Sequence, residues 1–150
     1  MKRLEKILKE KKYIKISLKS IATNHLELKA KINGVKGRFI LDTGASNSCV
    51  GLDAIDNFKL IAEESETKAA GAGATNMETQ LSKNNTLKIG KWSTHKFHLV
   101  LFDLTHVNTA LTDHNAKEVD GIIGADILRK GRAFIDYNKN VLYLRKLKNN

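Results

Sequence analysis

The chain has 150 residues, 41% hydrophobic and 28% charged, a composition that suits one globular domain and excludes wholesale disorder. Its single cysteine excludes an internal disulfide framework and cysteine-built zinc or iron–sulfur sites, and no run of about 18 apolar residues is present to span a membrane. The net charge of +10 divides into +9 over residues 1–38, −5 over 39–128 and +6 over 129–150; with 6% aromatics and no zinc-finger, RNP or KH pattern, a solvated basic surface is expected and nucleic acid is not.

Leu4, Ile7 and Leu8 recur at helical spacing among lysines, so residues 1–12 are expected as a short basic helix or extension. They lack the continuous apolar stretch of a signal peptide, and together with the lone thiol this points to a cytoplasmic location. A main domain is expected over 13–146 with a tail at 147–150. From Tyr13 the pattern alternates: Ile14, Ile16 and Leu18 share one strand face, and Leu26, Leu28, Ala30 and Ile32 share another. Asn33-Gly34 is the strongest hairpin signal, and 37–41 reads as the returning strand, apolar enough to be buried on both sides.

Residues 51–58 suggest a short helix. The small-residue stretch 68–76 suits a hairpin tip, where glycine relieves steric limits. Strands are expected at 86–90 and 96–102, an irregular polar loop with some helical turn at 104–119, a helix at 124–130 and a closing hairpin at 133–144. The fold class is all-β with one or two short helices.

The most informative segment is Phe39-Ile40-Leu41-Asp42-Thr43-Gly44-Ala45-Ser46. An apolar strand delivers an acid into a tight turn of small residues. A carboxylate there is costly unless it is hydrogen-bonded or used. Gly44 lets backbone amides approach it, and the Thr43 hydroxyl can tie the loop down. This segment resembles the catalytic signature of the retropepsin-like aspartic proteases. Val119-Asp120-Gly121-Ile122-Ile123-Gly124, ending 82 residues after Asp42, is similar to that family's second motif.

The resemblance covers most of 13–146. It implies an acid-protease fold: a closed barrel-like sheet, a flap hairpin and one short C-terminal helix. It also implies an aspartic endopeptidase acting on polypeptides, with no cofactor or metal. Asp42, Thr43 and Gly44 would be catalytic, while Ala45 and the flap residues Gly71, Ala72 and Gly73 would meet substrate; an ordinary exposed turn is the other reading of 71–73. Gly121, Ile122, Ile123 and Gly124 would form the structural second motif. Carboxylate-driven peptide hydrolysis needs two acids sharing a proton, and this chain has one Asp-Thr-Gly, so a C₂ homodimer pairing two Asp42 residues is expected. In the family the threonine matching Thr43 hydrogen-bonds across the dimer axis. Ser46-Asn47 and Ala125-Asp126 depart from the acidic residue and the arginine typical of viral members, and place the chain closer to bacterial ones. A non-catalytic, peptide-binding dimer of the same fold is the alternative.

Other side chains carry less. Cys49 sits in an apolar run and reads as a small buried hydrophobe. His95 and His98, three apart on a strand, are expected on opposite faces, where they cannot share a metal. Ser46 and Ser48 lack a serine-hydrolase elbow, and Trp92 and Phe102 read as packing residues.

Overall fold

In the computed structural model, residues 2–71 and 74–148 are described, with side chains placed for 3–64 and 79–148. Helix α1 (Lys2–Glu10) lays Leu8 against Val141 and Tyr143. The chain continues through β1 (Tyr13–Ser17), β2 (Lys19–Ser20), β3 (Leu26–Ile32) and β4 (Val35–Leu41). Then come β5 (Cys49–Gly51), β6 (Glu63–Gly71), β7 (Ala74–Ile89) and β8 (Trp92–Phe102). Helix α2 (Thr105–Asp113), β9 (Gly121–Ile123), helix α3 (Ala125–Lys130), β10 (Phe134–Asp136) and β11 (Val141–Arg145) complete it.

Eight strands form one sheet in the order β2-β3-β4-β9-β5-β8-β7-β6, and a further β3–β7 pairing closes six of them into a barrel. The β3–β4 turn shows how sequence drives closure. Asn33 and Gly34 take φ of 51° and 84°, the left-handed pair that matches strand twist in a two-residue hairpin. The Asn33 side chain then donates to Phe58 O and Asn85 Oδ1 and accepts from Thr86 N, all at 2.9–3.0 Å, pinning the turn to β7. Inside the barrel Phe39, Phe58, Trp92, Leu87, Ile89 and Leu101 are fully buried, each large side chain contributing about 1.5–3 kcal/mol. Trp92 Nε1 donates to Arg145 O at 2.9 Å, which ties the barrel to the second sheet, β1-β11-β10.

The all-β fold and the hairpins at 26–41 and 134–145 agree with the sequence, with three differences. Residues 51–58 form only a 3₁₀ turn at Leu52–Ala54, because Asp53, Asp56 and Asn57 favour turns and Phe58 is drawn wholly into the core. The segment 104–119 contains a regular helix, α2, seated through Leu111 on Ile40 and Val119. Strand β8 begins at Trp92 and carries an irregularity at Lys96, whose φ is +54°. That break in alternation leaves both His95 and His98 exposed, so the expectation of opposite faces is corrected.

Candidate active site at the Asp42 turn

Strand β4 ends in three buried residues, Phe39, Ile40 and Leu41, and the next residue, Asp42, emerges exposed. The turn that follows is held by its own backbone. Asp42 N donates to Ile123 O at 2.9 Å, Ala45 N donates to Asp42 O at 3.2 Å, and Gly44 N donates to the Asp42 carboxylate at 2.9 Å. The amide of Gly44 therefore orients one oxygen of this exposed carboxylate.

Strand β9 sits between β4 and β5, parallel to the first with Ile40 beside Ile122, and antiparallel to the second with Cys49 beside Ile122. This brings the two sequence motifs into contact. The Asp42–Ser48 loop crosses the end of β9, and Ala125 N donates to Ala45 O at 2.7 Å. Both glycines of the second motif are required by that crossing. A Cβ on Gly121 would lie 2.1 Å from Cys49 O, and one on Gly124 would lie 2.6 Å from Ala45 O.

A polar knot fastens the same crossing. Ser48, fully buried, donates through Oγ to Asp126 Oδ1 at 2.7 Å and accepts from Gly124 N at 2.9 Å. Its amide donates to Asp126 Oδ2 at 2.9 Å, and Ile127 N donates to Asp126 Oδ1 at 2.8 Å. One carboxylate thus spans the loop after Asp42 and the first turn of α3. Sequence reading missed both residues as a pair; their only signal is an acid in the first turn of a short helix.

Beside Asp42 lies a cleft of about 380 Å³ with an apolar wall of Ile40, Val107, Leu111 and Ile122, and His25 and His106 also line it. Helix α2 supplies Val107, Leu111 and His106, so the segment expected as a loop forms one side of the cleft. A second groove, bordering Thr43, is lined by Leu128, Ile135, Arg129 and Arg132. Burial pushes the Cys49 thiol up to about 12, so it stays protonated and inert. Hydrogen bonds from Thr105 hold the Asp103 carboxyl below its usual range at the start of α2. Among the described residues no three His, Cys, Asp or Glu side chains gather as a metal site.

The structure brings Asp42, Thr43, Gly44 and Ala45 together with Gly121, Ile122, Ile123 and Gly124. Gly71 stands apart, ending β6 on a hairpin where it pairs with Ala74 of β7. Ala72 and Gly73 lie outside the described residues.

A family model described as aspartyl protease matches residues 28–127, two thirds of the chain and all of the crossing just described. The chain belongs to the aspartyl protease family. Solved structures place this family member among retropepsin-like folds. A retropepsin-like aspartic protease from Rickettsia conorii is 18% identical with a TM-score of 0.55, over 88% of this chain and 89% of that one. The retroviral protease-like domain of Ddi1 from Leishmania major is 17% identical with a TM-score of 0.52, over 84% and 96%. EIAV protease, solved with the inhibitor HBY-793, is 22% identical with a TM-score of 0.50, over 69% and 84%. At these identities the likeness is one of fold. No curated protein matches the sequence. No helix of this aspartyl protease relative, among the described residues, is long and apolar enough to cross a membrane.

Proposed function

We propose that the protein is an aspartic endopeptidase that works as a homodimer, each subunit contributing Asp42. The observation that carries this reading is the exposed Asp42 carboxylate, oriented by Gly44 N at the end of a buried strand and opening beside an apolar cleft. An extended peptide lying there would place a side chain against Ile40, Val107 and Ile122.

A single carboxylate cannot both take a proton from water and give one to the substrate carbonyl. Two can, if they share one proton and titrate as a pair. The chain has one Asp-Thr-Gly, so the second comes from another copy, with the two-fold axis beside Thr43. The ionised carboxylate accepts a proton as water oxygen bonds to the scissile carbon. The protonated carboxyl donates to the carbonyl oxygen, giving a neutral diol. Proton delivery to the amide nitrogen then breaks the C–N bond, releasing an acid and an amine. The β6–β7 hairpin is assigned as the flap that covers the peptide and excludes water.

Wild type and Asp42→Asn are incubated with an unstructured protein over about pH 4–7.5, the span in which such a pair changes protonation. Cleavage by wild type alone is expected. Equal inertness removes the enzyme reading, and cleavage by Asp42→Asn removes the site assignment.

A further inference from the structure

Strands β4, β3 and β7 lie side by side on the barrel wall, and their register lines up cations. Lys31 on β3 is opposite Lys36 on β4 and opposite Lys88 on β7, while Lys29 is opposite Arg38. The four lysines are exposed, and with Arg38 they line a groove of about 570 Å³. Asp120 lines the same groove, and both it and Glu27 are held by Arg38. Glu27 Oε1 holds Arg38 Nε at 2.8 Å, and Asp120 Oδ2 accepts from Arg38 N at 2.9 Å. Among the described residues, no carboxylate lies within 4.0 Å of Lys29, Lys31, Lys36 or Lys88. Like charges placed directly opposite on neighbouring strands repel, and the four lysines have no ion-pair partner among the described residues to offset this.

We propose that the groove on the β4–β3–β7 wall, lined by Lys29, Lys31, Lys36, Arg38 and Lys88, binds an inorganic polyphosphate anion. The ligand class follows from what the groove offers. At Lys31, in the middle of the groove, β3 is already paired with β4 on one side and with β7 on the other, so a peptide cannot add as a further strand at that position. No aromatic side chain lines the groove, so it has no platform on which a nucleobase could stack. What remains is a close array of ammonium donors, which suits repeated phosphate groups. Lys36 stands six residues before Asp42, roughly 20 Å along β4 at the usual rise, so the groove is separate from the candidate active site.

Calorimetry with sodium tripolyphosphate and the full chain, at about 50 mM salt, is expected to show saturable one-to-one binding and a raised unfolding temperature. In Lys31→Gln/Lys88→Gln the affinity falls roughly tenfold. Without the anion this variant unfolds at a higher temperature than wild type, because the opposed charges are gone. Lys6→Gln/Lys9→Gln, which removes the same charge from exposed positions of α1, keeps wild-type affinity. Equal loss in the two double variants would show only bulk charge and overturn the proposal, as would binding that never saturates. So would an oligonucleotide of equal charge that displaces tripolyphosphate through Lys31 and Lys88. None of these readings depends on proteolysis.

Discussion

Asp126 receives three hydrogen bonds, two from Ser48 and one from Ile127 N, at the point where the Asp42 loop crosses α3. Removing that carboxylate strands a buried hydroxyl and an amide at the base of the loop. Asp126→Ala is therefore expected to destabilise the fold by about 1–3 kcal/mol, read as a lower urea midpoint at unchanged slope. An unchanged midpoint would show that the knot contributes nothing. The Asp42 turn itself was legible because all its parts are local: an apolar run, an acid and small residues in sequence. The Ser48–Asp126 pair was not. Its members are 78 residues apart, and nothing in either neighbourhood names the other.

Strand order decides what the elements can tolerate. Because β9 is inserted between β4 and β5, the chain at Gly121 passes against Cys49 O with no room for a side chain. Gly121→Ala must push two barrel strands apart, and a loss of about 1–3 kcal/mol or more is expected in thermal or urea unfolding. A variant as stable as wild type would contradict the close crossing. Alternation and the Asn33-Gly34 turn made β3 and β4 readable, and two apolar runs around the Asn138-Lys139-Asn140 turn did the same for β10 and β11. Helix α2 was legible only as some helical turn within a loop, because Thr105, His106, Asn108, Thr109 and Thr112 dilute its apolar face, and Leu111 is its one buried residue. The long β7 and β8 were read too short, as 86–90 and 96–102, for a different reason. Left-handed residues at Asn84 and Lys96 shift the register and interrupt the period of two.

For the whole molecule, the two basic ends meet. Strand β1 pairs with β11, Tyr13 beside Arg145, and α1 packs over the same sheet. The groove beside Thr43 adds Arg129 and Arg132, both exposed. The proposed two-fold axis beside Thr43 would face these cations towards their own copies, a repulsion that salt screens. Dimerisation is therefore expected to tighten as salt rises from about 50 to 300 mM, over which the Debye length falls from about 14 to about 6 Å. Sedimentation showing no trend, or weakening, would place the axis away from these arginines. Composition revealed the charge imbalance but not its placement. Only the register of the sheets shows which cations face one another.

The proposed enzyme has one active site built from two chains. Wild type is mixed with increasing Asp42→Asn at constant total protein, subunits are allowed to exchange, and cleavage of an unstructured substrate is followed. If each site needs an Asp42 from both subunits, activity falls as the square of the wild-type fraction. Activity strictly proportional to the wild-type fraction would mean that one chain suffices, and would contradict the shared pair.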